Sequence, residues 1–259
     1  MWSIFKFHVS MIKNLGKMAM KSNFKTKILA SLVIGIFFFE SATWALSMTY
    51  IGDSQSAYPK GLFEHLQPML LENGEIKSAV AVCGAHIQGF LDKIEDGSRG
   101  CDKHLSVQNG QVSFEANAGR TKSIDALAKD SDVVIVQLGD NHLGDVHSAH
   151  IQATKMAIHI LELGKKCLWI GPASVGKSKR GASCKKNREK KQAVSNAIKS
   201  ALEQVEVNGL KCEFIDSFSL TKANPPTGDK MCLHYGSNYS VWSDAILDSL
   251  RRSLLAFKK

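Results

Sequence analysis

The chain has 259 residues, 44% hydrophobic and 22% charged, with a formal net charge of +9. This balance excludes a disordered chain, and the length suffices for one large domain or two small ones. Six lysines against one glutamate in residues 1–45 carry +5 of the charge, and no recognition-helix signature accompanies the remaining basic residues, so nucleic acid is not an expected partner.

The first elements belong to targeting rather than to the fold. Met20–Lys27 is a short basic segment, followed by the apolar run Ile28–Phe39 and by ESATWALS, where Thr43 and Ala45 offer small side chains to a signal peptidase. The apolar run is well short of the ~20 residues that a spanning helix needs. These three parts read as a secretory signal cut after Ala45, with an uncleaved N-terminal anchor as the alternative. The expectation is an N-terminal extension and signal over residues 1–45 and one domain over residues 46–259. Such a protein would be periplasmic or secreted, with no stable membrane span after cleavage.

From Met48 onward, short apolar runs alternate with amphipathic segments. SMTYIGDS reads as a strand ending in a turn, and GLFEHLQPMLLENG as a helix with Leu62, Phe63, Leu66, Met69 and Leu70 on one face. IKSAVAVC, ended by Gly84, is a second strand, and GFLDKIEDG a short helix. Residues 101–120 are polar and read as irregular. SDVVIVQLGDN is the clearest strand, apolar enough to be buried on both faces of a parallel sheet. The helix HSAHIQATKMAIHILELG then turns Ile151, Met156, Ile158, Ile160 and Leu161 toward that sheet. KCLWIGPAS and KCEFIDSF are strands, REKKQAVSNAIKSALEQV is a basic helix, and SNYSVWSDAILDSLRRSLLAF closes the chain. Strands alternating with helices argue for an α/β sandwich with ligands at the strands' C-terminal ends. No repeat divides it.

In an oxidising compartment, six cysteines suggest disulfides. The expected pairs are Cys83 with Cys101 and Cys184 with Cys232. Cys167 and Cys212 both open strand-like runs and would be either a neighbouring-strand pair or two buried thiols. No C-x-x-C pair has zinc spacing.

Polar residues stand at several strand ends. Ser54, in Gly52-Asp53-Ser54-Gln55-Ser56, lies just past a strand beside a helix N-terminus, which suits a nucleophile, although a helix cap has the same look. Gly84 could offer its amide to an oxyanion. Asn141, in Gly139-Asp140-Asn141, carries a side-chain amide that binds negative charge without bearing one. Near the C-terminus, Asp229 and His234 precede the last helix, where an imidazole could reach a serine as general base with a carboxylate behind it. A rival motif is Gly171–Ser178, GPASVGKS, which matches the phosphate-binding pattern G-x-x-x-x-G-K-[ST]. Its context is poor, since Gly181 and a cysteine-bearing basic stretch follow where a helix should begin.

GDS, a glycine, G-x-N and an Asp/His pair, in that order over Tyr50 to about Ala256, resemble the SGNH (GDSL-like) hydrolase family. The segments WIGP (Trp169–Pro172) and HYGSNYSVWSDAI look like its subgroup with glycan-directed esterases. The resemblance implies a three-layer α/β/α sandwich with a mainly parallel central sheet, flavodoxin-like in its layers. It implies hydrolysis of acyl esters, O-acetyl groups on an envelope or extracellular polysaccharide foremost, with a lipolytic or thioesterase role second. Ser54 would be the nucleophile, His234 the base and Asp229 its partner. The Ser54 and Gly84 amides and the Asn141 side chain would form the oxyanion hole, with no metal or cofactor. The sequence departs from the family at two positions. Met231 stands three residues before the histidine, where the family usually has the aspartate, and His142 follows the asparagine in place of an aspartate. The first departure leaves a catalytically silent glycan-binding domain as a further alternative. The basic run Lys177–Lys191 is either a solvated face or a means of attracting an anionic envelope polymer.

Overall fold

A computed structural model describes residues 45–91, 104–108, 111–115 and 123–258. The chain runs β1 (Leu46–Gly52), α1 (Ser54–Ala57), α2 (Leu62–Asn73), β2 (Gly74–Val82), α3 (Ile87–Leu91), β3 (His104–Gln108), β4 (Gln111–Glu115), α4 (Ile124–Ala128), β5 (Val133–Gln137), α5 (Val146–Glu162), β6 (Lys166–Ile170), α6 (Lys185–Glu203), β7 (Cys212–Ile215), α7 (Ser217–Thr221) and α8 (Tyr239–Phe257). The strands form one sheet in the order β4-β3-β2-β1-β5-β6-β7. β2, β1, β5, β6 and β7 are parallel, while β3 and β4 are antiparallel.

Alternation along the central strands builds a core on each face. On one face Met48, Tyr50, Ile135 and Leu168 pack with Leu66 and Leu70 of α2 and with Trp242, Ile246 and Leu250 of α8. On the other, Ile51, Val134, Val136 and Trp169 pack with α4, with Ala153, Met156 and Ile160 of α5, and with Val194 and Ile198 of α6. The architecture is therefore an α/β/α sandwich with a mainly parallel central sheet, as the alternation of elements led one to expect. β1 occupies the middle, flanked by β2 and β5. The polar turns that follow these three strands consequently lie side by side at one edge of the sheet.

Some expectations need correction. Part of the stretch read as irregular, residues 101–120, forms the β3–β4 pair, whose period-2 pattern of Leu105 and Val107 lets it extend the sheet beyond β2. On α5, Ile151 turns away from the sheet and is 38% exposed, while Ile158 is only partly buried. Helix position sets this, since the buried stripe runs through Ala149, Ala153, Met156, Ala157 and Ile160. The rival phosphate-binding motif also lacks its helix. Lys177 and Ser178 make short bridges to Ser183 and Gly228, and α6 starts only at Lys185.

Cys167 and Cys212 form a disulfide between register partners on β6 and β7, and Cys184 is bonded to Cys232. Cys101, the expected partner of Cys83, lies outside the described residues, as does the segment read as a signal. Among the described residues, no helix is long and apolar enough to cross a membrane.

Candidate active site

The turn after β1 is unusually tight. A Cβ on Gly52 would lie 2.8 Å from the Ser56 Cβ, so only glycine fits there. Asp53 then leaves the sheet in an extended conformation, and its Oδ1 accepts from the Gln55 N–H at 2.9 Å, capping α1. Ser54 is the first residue of that single-turn helix and is 5% exposed.

Polar side chains lock this turn to its neighbours. The Asp53 amide donates to the Gln137 carbonyl of β5 at 3.2 Å, and the Gln137 side-chain amide donates to Asp53 Oδ1 at 3.2 Å. Ser56 Oγ donates to Gln137 Oε1 at 2.7 Å and lies 2.6 Å from the Tyr50 hydroxyl. Gln55 reaches the other way. Its Nε2 donates to the Leu233 carbonyl at 3.0 Å, and its Oε1 accepts from the Tyr239 hydroxyl at 2.9 Å.

The turn after β5 is a short 3-10 segment, Asp140–His142. Asn141 donates from Nδ2 to the Ala85 carbonyl at 2.9 Å, which uses one of its two amide hydrogens and holds the turn after β2 beside it. Gly84, with φ of 73°, is exposed in that turn. His142 takes the place where the SGNH pattern has an aspartate. It is buried, and the Ile87 amide lies 3.5 Å from its Nε2. Burial first, and the neighbouring His86 second, push its imidazole down to about 4, so it is neutral near pH 7. No negative charge therefore replaces the missing aspartate.

His234 arrives from the loop before α8. Its Nε2 lies 3.0 Å from Ser54 Oγ, and its Nδ1 lies 3.3 Å from Asp229 Oδ2. A turn brings Asp229 to His234 across a spacing of five residues. The Cys232 amide donates to the Asp229 carbonyl at 3.2 Å, and Cys232 adopts φ of 58°. Asp229 Oδ1 accepts from the Met231 and Leu233 amides at 2.9 and 3.0 Å. Met231, at the family's usual aspartate position, instead points outward and is 69% exposed. Partial burial opposes charge on Asp229, but the Leu233 amide, the imidazole and the Met231 amide outweigh it and hold this carboxyl below the usual carboxylate range. The Tyr58 ring packs edge-on to His234, with centroids 5.8 Å apart.

Ser54, His234 and Asp229 thus come together in hydrogen-bonding order, and Gly84 and Asn141 lie in the turns after the two strands that flank β1. Residues to which the sequence reading gave no role in the site complete the surroundings: Gln55, Gln137, Tyr235, Tyr239, and a buried pair formed by Lys191 and Asp140. Burial first, and the charge of Asp140 second, raise the Asp53 carboxyl to about 7. Among the described residues, no group of three His, Cys, Asp or Glu is placed to hold a metal ion.

No family model and no curated protein matches the chain. Solved structures do. A DUF4886-family protein from Bacteroides uniformis is 14% identical, with a TM-score of 0.51 over 80% of this chain and 82% of that one. Axe2, an acetylxylan esterase from Geobacillus stearothermophilus, is 13% identical, with a TM-score of 0.49 over 79% and 94%. LAE5, an alpha/beta hydrolase enzyme from the metagenome of Lake Arreo in Spain, is 13% identical, with a TM-score of 0.46 over 82% and 98%. At these identities the likeness speaks to the fold alone, for which the first of them is the support.

Proposed function

We propose that the chain is a serine carboxylic-ester hydrolase of SGNH type, working through an acyl-enzyme. One observation carries the reading. Ser54 Oγ stands 3.0 Å from His234 Nε2, with Asp229 behind Nδ1, at the C-terminal edge of a parallel sheet. With the imidazole hydrogen on Nδ1 facing Asp229, Nε2 is free to take the Ser54 proton as Oγ attacks the ester carbonyl carbon. The carbonyl electrons move onto oxygen, where the Ser54 and Gly84 amides and the second Asn141 N–H stabilise them. Collapse expels the alcohol, which takes the proton from His234. Water then attacks the acyl-serine by the same route, releasing the carboxylic acid and restoring Ser54.

The Asp229–His234 contact at 3.3 Å speaks against the silent domain that a missing aspartate at position 231 would favour. The natural ester we propose is an O-acetyl group on a cell-envelope or extracellular polysaccharide. The disulfides Cys167–Cys212 and Cys184–Cys232 fit an exported protein. Attraction to an anionic polymer finds support in the basic run Lys177–Lys191, which is stitched to the Asp229–His234 loop, although Lys191 itself is buried and takes no part in that surface. Cys184 is bonded to Cys232, the Lys179 amide donates to the Gly228 carbonyl at 2.9 Å, and Asn187 donates to the Met231 carbonyl at 2.8 Å. A Cβ on Gly236, two residues past His234, would meet Lys179 Nζ at 2.8 Å.

Purified protein is expected to hydrolyse 4-nitrophenyl acetate, with Ser54→Ala lowering kcat at least ~10³-fold. Equal inactivity of both proteins would sink the reading. Faster turnover of the octanoate ester than of the acetate would replace the glycan substrate with a lipid one.

A further inference from the structure

α6 is basic over its first two turns, yet one of the lysines there is turned inward. Lys191 is fully buried, on the face that carries Val194, Ser195, Ile198, Ala201 and Leu202. Its ammonium is ion-paired with Asp140 Oδ1 and lies 5.0 Å from the centroid of the Tyr235 ring. These partners have telling neighbours. Asp140 directly precedes Asn141, and Tyr235 directly follows His234. Tyr235 is itself pinned, its hydroxyl donating to the Ala173 carbonyl at 2.8 Å. One buried cation therefore touches both the strand-end turn that carries the oxyanion donor and the loop that carries the base.

Stability alone gives little reason for such a pair. Desolvating an ammonium and a carboxylate costs about as much as their attraction returns, and an apolar residue of the same length usually serves the fold as well or better. Among the described residues, the buried Asp140 Oδ2 and Asp53 Oδ2 also find no hydrogen-bond partner. What the ammonium does supply is directional attraction, joining the Asn141 turn and the His234 loop to one helix.

We propose that Lys191 is a positioning residue for the hydrolytic site: through Asp140 and Tyr235 it fixes the Asn141 turn relative to His234, without touching substrate. This rests on the ester-hydrolase reading. Misplacement of reacting groups by about 1 Å costs on the order of 10²-fold in rate, which sets the scale of the effect.

The test is a kinetic series on 4-nitrophenyl acetate with wild type, Ser54→Ala, Lys191→Met and the double variant Lys191→Met/Asp140→Asn. The single Lys191 change leaves Asp140 buried and unpaired and is expected to lower thermal stability. The double change removes both charges and is expected to restore the Tm to near the wild-type value. Positioning predicts that the double variant, although stable, keeps its KM and loses about 10- to 100-fold in kcat. A stable double variant with wild-type kcat would overturn the proposal, because the pair would then only balance charge. A double variant that does not fold would overturn it too, assigning the pair to the fold. If Ser54→Ala matched wild type, the hydrolase reading itself would fall; an inactive Ser54→Ala beside a fully active double variant would remove only the role of Lys191.

Discussion

The two halves of the candidate site are built in opposite ways. Ser54, Gly84 and Asn141 stand on turns that follow three neighbouring strands, so the sheet register sets their spacing, and their supporting groups are buried. Asp229 and His234 come from a loop of six residues, each with a side chain about one-third exposed. That loop holds its shape by its own turn, by two backbone donors to Asp229, and by the Cys184–Cys232 bond. A strand edge sets where its turn begins, whereas a loop must carry all of its own fixings. Changes in the two halves should therefore fail differently: edge changes in chemistry alone, loop changes in chemistry together with order.

The largest difference is expected from Asp229→Asn. An amide cannot hold the Nδ1–H tautomer as a carboxylate does, so kcat on a small acetate ester should fall by about 10³- to 10⁴-fold with KM little changed. Full activity would reduce the site to a Ser–His pair. Next comes Asn141→Ala, on the edge, where loss of one oxyanion donor should lower kcat by about 10²- to 10³-fold. Its Tm should move little more than the loss of the Ala85 hydrogen bond requires, about 1 kcal/mol.

Removing the cross-link with Cys184→Ala/Cys232→Ala frees the loop from the start of α6. It should cost about 2–4 kcal/mol by thermal or denaturant unfolding, and lower kcat by a smaller factor, about tenfold, as the Asp229–His234 turn loosens. Wild-type kcat in that variant would show that the loop's own hydrogen bonds suffice.

A further difference lies in pH dependence, and its sign separates the halves. Burial, with the charge of Asp140 second, raises the Asp53 carboxyl from 3.8 to about 7, so the folded state binds the extra proton and its contribution to stability is lost as pH rises from about 4 to 7. The Asp229 carboxyl is depressed, because its hydrogen bonds outweigh partial burial. Its contribution is present above its ordinary value of 3.8 and is lost as pH falls through its lowered value. Thermal melts from pH 3 to 8 should therefore lose a falling component in Asp53→Asn and lose an acid-side rise in Asp229→Asn. The same slope in both variants would contradict the contrast.

The same division explains what could be read from the sequence. The strand runs TYIG and VVIVQ announce a parallel sheet by composition, and a glycine or asparagine right after such a run can only lie at its edge. The order of GDS, Gly84 and G-x-N was therefore legible. The partnership of Asp229 with His234 was less so, because the five-residue spacing closes only through the left-handed backbone at Cys232 and the two amides it brings to Asp229. The β3–β4 pair was missed because its short alternation is set among glycine and polar residues. Lys191 was hidden by composition, lying in a run of basic residues whose other members are largely exposed. Its spacing of three to Val194 and seven to Ile198 marks the buried face, and that signal was available. The contacts with Asp140 and Tyr235 were not, since they join residues 51 and 44 positions away in the chain.

The central claim is that Ser54 is a nucleophile activated by His234. Its most direct test is covalent: react the protein with an alkyl fluorophosphonate and locate the adduct by peptide mass spectrometry. The account predicts a single adduct on Ser54, formed at least ~10²-fold more slowly in His234→Gln. An unlabelled Ser54 in a protein that still hydrolyses esters, or labelling at the same rate without His234, would contradict it.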